Sequence, residues 1–233
     1  MIDWHSHILP ALDDGSRDIK ESVLLVNKLS QQGIDTVIAT PHFYANDETV
    51  ESFLQRRQQS FETLKSSLGD DAPDILLGAE VRYYPGINKM AELKRLRIQG
   101  SKLLLLEMQM SKWTEYTVKE LVELNSSGGV SVVLAHVERY FGLQSPKTLD
   151  RLYESGILMQ ANASYFISPL TRRKAIRELE GGRIHFIGSD CHNTVSRPPQ
   201  FDAAFENITK KLGHRFIGQM NEYGYGLLEK INI

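Results

Sequence analysis

Short apolar runs alternate with longer helical stretches along all 233 residues, and this alternation narrows the possible folds more than any other feature. Seven runs have the length and composition of strands. They cover residues 2–4, 36–40, 75–79, 102–106, 130–135, 158–161 and 184–188. Helical spacing is clearest over 19–32 and 48–67. Repeated strand and helix units of this kind require a parallel sheet covered by helices, either a barrel or a doubly wound sheet.

The first helical segment carries signals for both of its ends. Asp18 can cap its first turn, Glu21 can complete a capping box, and Gly33 suits the turn that ends it. Linker-like and low-complexity stretches do not interrupt the pattern of strands and helices. We therefore expect a single domain that spans residues 1–233.

Composition excludes several classes of protein. The chain has 27 Lys and Arg against 29 Asp and Glu, with a pI near 6.4, whereas a nucleic-acid-binding domain usually has a pI above about 9. The longest leucine run, 103–106, is far shorter than the roughly 18 apolar residues of a membrane span. The N-terminus does not resemble a signal peptide, and there is one cysteine. We expect a cytoplasmic protein with no nucleic-acid partner and no membrane insertion.

Polar side chains, most of them of metal-ligand type, follow the predicted strands. In chain order they are His5 and His7, His42, Glu80, Glu107, His136, Asn162, and Asp190 with His192. In a parallel barrel all these positions lie on one rim, the C-terminal face, where such folds build their sites. One polar residue at a strand end is usually a cap or a solvated loop residue, but seven such ends together indicate a metal site. His5 and His7 can reach one ion because alternate residues of an extended segment point to the same side.

Three motifs carry a resemblance to a known superfamily. They are His5-Ser6-His7-Ile8-Leu9-Pro10 followed by Asp13-Asp14-Gly15, the Thr40-Pro41-His42 turn and the Ser189-Asp190-Cys191-His192 block. The ordered set resembles the PHP (polymerase and histidinol phosphatase) superfamily. Within it, the chain is similar to the manganese-dependent protein-tyrosine phosphatases of bacterial capsule and exopolysaccharide clusters, the CpsB/CapC-like family. The resemblance covers essentially the whole chain and implies an α/β fold, a distorted (β/α)7 TIM-like barrel known as the PHP fold.

The resemblance also implies three divalent metal ions. One would be held by His5, His7, Glu80 and Asp190, a second by Glu80, Glu107 and His136, and a third by Asp14, His42 and His192. Arg139 and Arg197 match the family's phosphate-contacting arginines. The implied activating ion is Mn2+, although carboxylate and imidazole ligands also suit Zn2+, Fe2+, Co2+ or Mg2+.

This ligand set suits the hydrolysis of a phosphate monoester. Metal coordination lowers the pKa of a bound water from about 16 to roughly 7, so a metal-activated hydroxide can attack phosphorus. Two arginines can donate paired hydrogen bonds to phosphate oxygens. A phenolate leaving group, whose conjugate phenol has a pKa of about 10, needs less protonation than a serine alkoxide. By resemblance, the substrate is a phosphotyrosine protein, the tyrosine-rich tail of a bacterial tyrosine kinase that regulates polysaccharide synthesis.

Three other interpretations stay open from the residues. Cys191 and Arg197 have the Cys-x5-Arg spacing of cysteine-dependent tyrosine phosphatases, but the residues between them include no glycine, and Asp190 would raise the pKa of the thiol. The same metal ligands would serve a PHP phosphatase or phosphodiesterase for a small molecule such as histidinol phosphate. A metal-loaded binding module without activity is the third. Short strand-end turns such as 43–47 favour an open mouth and a protein substrate.

Overall fold

The structure is a computed structural model that describes residues 1–126 and 129–228. Within these residues nine strands and seven α-helices follow one another along the chain. The strands are β1 (Ile2–Ser6), β2 (Thr36–Ala39), β3 (His42–Phe43), β4 (Asp74–Leu77), β5 (Glu80–Arg82), β6 (Leu103–Glu107), β7 (Ser131–Leu134), β8 (Leu158–Asn162) and β9 (Phe186–Gly188). The helices are α1 (Ile19–Gln31), α2 (Val50–Lys65), α3 (Glu115–Ser126), α4 (Pro146–Glu154), α5 (Arg172–Glu180), α6 (Phe201–Leu212) and α7 (His214–Leu228).

The named strands pair in parallel and curl into a half-barrel. One sheet has the order β1-β2-β4 and the other the order β3-β5-β6-β7-β8-β9. The last strand comes back beside the first, where Ser6 and Cys191 form a parallel bridge and His7 N donates to Cys191 O at 3.0 Å. This curled parallel α/β sheet confirms the predicted distorted barrel.

Two of the seven predicted strands are each followed by a further short strand that was not predicted. The predicted strand 36–40 corresponds to β2, and β3 begins directly after Pro41; the predicted strand 75–79 corresponds to β4, and β5 begins after residues 78–79. Proline has no backbone N–H to donate to a neighbouring strand. The two additional strands pair with each other, since Glu80 N donates to Pro41 O at 3.0 Å and His42 lies opposite Glu80. His42 and Glu80 therefore lie in strands, where the sequence predicted loop positions.

Alternating residues divide the core into two apolar layers. On β6, Leu103 and Leu105 join the smaller cluster with Trp4, while Leu104 and Leu106 join the larger one. Helix α7 packs against the smaller cluster so closely that a Cβ on its Gly224 would lie 2.6 Å from the Trp4 ring. With both faces of the sheet covered, the strand ends are the exposed edge where polar side chains can gather.

The predicted helices form with small differences at their ends. Asp18 caps α1, and its Oδ1 accepts a hydrogen bond from Glu21 N at 2.9 Å. Glu21 does not close the predicted capping box, because its Oε2 accepts instead from Arg17 N at 3.1 Å and Arg17 Nε at 3.0 Å. Helix α2 is capped by Thr49. Across residues 1–126 and 129–228, the helices lack the combination of length and hydropathy that a bilayer crossing demands.

Candidate metal centre

The structure brings the nine predicted metal ligands together at the C-terminal end of the strands. They are His5, His7, Asp14, His42, Glu80, Glu107, His136, Asp190 and His192. Most are buried, whereas the Asp14 side chain is 65% exposed. Two ligand atoms that each lie about 2.0–2.2 Å from one ion are at most about 4.4 Å apart, so the distances between them test which side chains can share an ion.

The first predicted group meets this limit for the measured pairs. Glu80 Oε2 lies 3.2 Å from His5 Nε2 and 3.3 Å from His7 Nε2. Asp190 Oδ1 lies 3.8 Å and 3.6 Å from the same two nitrogens. These side chains can therefore converge on one cation.

The second group forms around the other oxygen of Glu80. His136 Nε2 lies 2.8 Å from Glu80 Oε1 and 3.6 Å from Glu107 Oε1. The Glu80 carboxylate thus faces two groups, as a bridging ligand would. His42 Nδ1 is also 3.1 Å from Glu80 Oε2, so this histidine borders the first two groups as well as the third.

The third group is centred on Asp14. Its Oδ1 lies 3.3 Å from both His42 Nε2 and His192 Nε2. His7 also comes within ligand-sharing distance of these residues. The three groups are therefore contiguous, and neighbouring ions would share side chains.

Hydrogen bonds set the tautomers of the paired histidines. His5 Nδ1 donates to Gln160 Oε1 at 3.2 Å, and His7 Nδ1 donates to Asp13 Oδ2 at 2.7 Å. Each Nε2 is then the ring nitrogen left to bind a metal ion. The two Nε2 atoms lie only 3.1 Å apart. Burial disfavours a charge on either ring, but Glu80 and Asp190 raise the pKa of His5, and Asp13 and Glu80 raise the pKa of His7 to about 10. This point of the site therefore favours a positive charge, and a metal ion can replace the proton between the two rings.

A hydrogen bond also orients His192 so that its Nε2 can bind a metal ion. Its Nδ1 lies 3.0 Å from the carbonyl oxygen of Asp190 and can donate to it, while its buried Nε2 has no hydrogen-bond partner and faces Asp14. Burial, together with the positive charges of His7 and Arg197, lowers the pKa of His192 to about 4. The ring is therefore neutral at physiological pH, which is the form that binds metal.

Glu80 and Asp190 are ionised despite their burial. Burial by itself raises the pKa of Glu80, but the charge of His5 and hydrogen bonds from histidines, among them His136, bring it well below its usual value. Burial also raises the pKa of Asp190, but the charges of His5, His7 and Arg197 together outweigh it and lower that pKa. Ionised carboxylates beside imidazole nitrogens form a donor set suited to a divalent cation.

Two of the ligands have backbone conformations that are rare for residues with a side chain. His136 has φ 35° and Asp190 has φ 51°, both in the left-handed region. Nearby, a Cβ on Gly188 would lie 2.5 Å from His5 Cβ and 2.8 Å from Gln160 Nε2, so only glycine fits. The positive φ angles of His136 and Asp190 are strained, and such backbone strain persists where surrounding contacts hold it in place, most often at functional sites.

Three supporting residues lie outside the predicted ligand set. Gln160 Nε2 donates to Asn162 Oδ1 at 3.0 Å, and Asn162 Nδ2 donates to Asp190 Oδ2 at 2.7 Å. Asp13 orients His7. The sequence signal for the amide pair is its spacing, because alternate residues of a strand share one face and Asn162 was already recognised at a strand end.

The two predicted phosphate-binding arginines lie at the edge of this centre. Arg139 Nη2 and Arg197 Nη2 are each 2.7 Å from Asp190 Oδ2. Their side chains are 34% and 40% exposed, so both can contact a bound anion.

Cys191 is placed where it cannot act as a nucleophile. It is fully buried beside β1, and burial, strengthened by the charge of Asp3, raises the pKa of its thiol. A reactive cysteine requires an accessible thiolate. The cysteine-dependent interpretation is therefore wrong.

Known proteins similar to this chain are named as tyrosine-protein phosphatases. The CpsB/CapC model for capsular polysaccharide synthesis matches residues 1–222. Tyrosine-protein phosphatase CpsB from Streptococcus pneumoniae is 30% identical over 91% of each chain, and tyrosine-protein phosphatase YwqE from Bacillus subtilis (strain 168) is 29% identical over 100% of this chain and 93% of its own.

A solved structure extends the similarity to three dimensions. The crystal structures of YwqE and CpsB, described as unique metal-dependent tyrosine phosphatases, match with a TM-score of 0.83 and 27% identity over 98% of this chain and 94% of the other. A chain of archaeal ribonuclease P, with a TM-score of 0.60 and 12% identity, shares the fold alone. Family, fold and ligand geometry agree, and the chain therefore belongs to the CpsB/CapC family of capsular polysaccharide synthesis.

Proposed function

We propose that this chain, a metal-dependent tyrosine-protein phosphatase of the CpsB/CapC family, hydrolyses phosphotyrosine at three Mn2+ ions held by the nine clustered side chains. The whole of residues 1–233 forms the phosphatase domain. The first ion takes His5, His7, Glu80 and Asp190, the second Glu80, Glu107 and His136, and the third Asp14, His42 and His192. The observation that carries the proposal is the short Nε2 to Nε2 distance between His5 and His7, whose Nδ1 atoms both face hydrogen-bond acceptors.

The four carboxylate ligands would not fully neutralise three divalent ions. Divalent ions supply a water-derived nucleophile at neutral pH and neutralise phosphate charge. Asp14, Glu80, Glu107 and Asp190 contribute four negative charges, fewer than the six positive charges of three divalent ions. The site therefore keeps a net positive charge that attracts a phosphate dianion.

Arg139 and Arg197 bind and orient the phosphate. Each guanidinium can donate two parallel hydrogen bonds to phosphate oxygens. Because both groups meet Asp190, they approach the phosphate from the side of the first metal group. A phenolate leaves without a strong general acid, since its pKa is about 10.

The substrate in this proposal is a phosphotyrosine protein, the tyrosine-rich tail of a bacterial tyrosine kinase. The named relatives act on tyrosine-phosphorylated protein, which favours this class over small molecules such as histidinol phosphate. We place the enzyme in the cytoplasm because its single cysteine is a free, buried thiol.

Metal analysis combined with peptide hydrolysis tests the proposal. We expect three ions per chain, loss of phosphotyrosine-peptide hydrolysis on chelation, and recovery when Mn2+ returns. His136→Ala loses activity because it loses metal, whereas Arg139→Ala keeps the metal and loses turnover. Hydrolysis that survives complete chelation, or an Arg139→Ala enzyme with unchanged turnover, would contradict the assignment. Equal turnover of histidinol phosphate would contradict the substrate class.

A further inference from the structure

A third arginine borders the metal centre. Arg82 is on β5, two residues after Glu80, and alternate residues of a strand share one face. Its Nη1 donates to Glu107 Oε2 at 2.6 Å. The side chain is 35% exposed. Arg82 therefore reaches the carboxylate of a metal ligand while its guanidinium stays open to the mouth of the site.

Arg82 shares its arrangement with the other two arginines. Arg139 and Arg197 have nearly the same exposure, and each also pairs with a metal-ligand carboxylate, that of Asp190. Arg139 Nη1 is in addition 3.9 Å from Glu107 Oε1, the carboxylate that Arg82 contacts. The three guanidinium groups and the two carboxylates thus alternate in one continuous arc along the rim.

This arc has the chemistry of an anion site. A guanidinium carries five N–H donors, and the contact with Glu107 engages Nη1 of Arg82. Its remaining donors suit the paired oxygens of a phosphate. A carboxylate that also binds a metal ion has less negative charge to offer an arginine, so the guanidinium becomes free to bind an incoming dianion.

We propose that Arg82 is a third phosphate-binding residue, which acts with Arg139 and Arg197 on the substrate phosphate. The inference rests on the proposed function, since it requires the metal centre to be the hydrolytic site. A purely structural role, in which Arg82 only holds Glu107 in place for the metal, is the competing explanation.

The two roles differ in what substitution removes. Arg82→Gln keeps a donor toward Glu107 but removes the positive charge and the paired donors. Arg82→Lys keeps the charge without the planar fork. Manganese content is measured by metal analysis, and binding of inorganic phosphate to the Mn2+-loaded protein is measured by calorimetry. Steady-state hydrolysis of p-nitrophenyl phosphate gives kcat and KM.

We expect Arg82→Gln to keep its full manganese content and to bind phosphate about tenfold more weakly, the order of effect expected for losing a charge-assisted hydrogen bond. KM for p-nitrophenyl phosphate should rise by a similar factor, and Arg82→Lys should lie between. The matched control is Arg95→Gln. Arg95 is 44% exposed and pairs with Glu51 at 2.6 Å, outside the arc, so its substitution should change none of these values.

Two results would overturn the inference. One is an Arg82→Gln protein with full manganese content and wild-type phosphate affinity. The other is a variant that loses manganese while its loaded fraction binds phosphate normally, which would assign Arg82 to the structural role. Failure of the proposed function is distinguishable from both, because the wild-type protein would then bind no manganese or hydrolyse no aryl phosphate.

Discussion

At the residue scale, the metal centre depends on side chains that are not themselves ligands. Gln160 is fully buried, and its Oε1 accepts from His5 Nδ1 at 3.2 Å and from His136 N at 2.7 Å. One amide therefore sets the tautomer of one ligand and supports the left-handed backbone of another. Loss of a hydrogen bond that orients a metal ligand in this way typically lowers metal affinity by about 10–100-fold.

We predict that Gln160→Met lowers Mn2+ affinity by about 10–100-fold, because methionine fills a similar volume but accepts no strong hydrogen bond from His5 or His136. Competition with a chelator measures the affinity, and nitrogen NMR shifts report the His5 tautomer. Gln144→Met is the matched control, since Gln144 is also buried and accepts from Trp113 N at 3.0 Å outside the metal centre. Equal losses of affinity in both variants would show that the effect is one of packing.

We predict that Cys191→Ser keeps most of the activity, whereas a chelator abolishes it. The thiol is fully buried and its pKa is raised, so it supplies no nucleophile. Phosphotyrosine-peptide hydrolysis before and after chelation measures both effects. The opposite pair of results would restore a cysteine-dependent mechanism.

At the element scale, a histidine side chain helps to join β8 to the start of β9. His185 N donates to Met159 O at 2.9 Å, and His185 Nδ1 accepts from Met159 N at 3.0 Å. The acceptor role requires Nδ1 to be unprotonated. Burial lowers the pKa of His185 to about 4, so the ring is neutral in the folded protein.

The resulting prediction is a loss of stability in mild acid. Because the folded pKa is below the unfolded value of about 6.5, the unfolded chain binds the proton first, and stability falls as pH drops from about 6.5 toward about 4. From pH 7 to pH 5 this group should remove about 2 kcal/mol from the free energy of unfolding. His185→Asn keeps an acceptor and should lack this component. Urea unfolding at the two pH values compares the proteins, and equal pH dependence would contradict the prediction.

At the scale of the whole molecule, the ions would join elements that are distant in sequence. The ligands come from β1, β3, β5 and β6, from the turn after β7, and from the segments that follow β1 and β9. Their convergence connects both ends of the curled sheet. Metal binding should therefore stabilise the complete fold.

We predict that Mn2+ at about 100 times the Kd of a site stabilises the protein by about 2.7 kcal/mol for each site it fills, so that one filled site alone raises Tm by about 5–10 °C for a chain of this size. Calorimetry of metal-loaded and chelated protein measures the shift. His7→Ala should show a much smaller shift, because the first group loses one of its four ligands. An unchanged Tm in the wild-type protein would mean that the ions do not bind across these strands.

Much of the fold follows from local patterns. Periodicity placed the strands and helices, and the polar strand ends indicated the rim, because those patterns depend on neighbouring residues alone. The strands β3 and β5 were not predicted, because two or three residues are too few to show a period. The role of Gln160 was also not predicted, because the residues next to it in the sequence do not indicate which distant side chains its amide contacts.

The succession of the seven main strands, the rim at their ends and eight of its nine metal-ligand side chains follow from the amino-acid sequence itself, while Asp14 was added by the family resemblance. Which oxygen of Glu80 faces which histidine, how Gln160 prepares His5, and the approach of Arg82 to Glu107 were decided only by tertiary structure. The physical reason is that a ligand group is defined by distances of 3–4 Å between atoms from separate strands. Those distances exist only after the sheet has curled and its two ends have met.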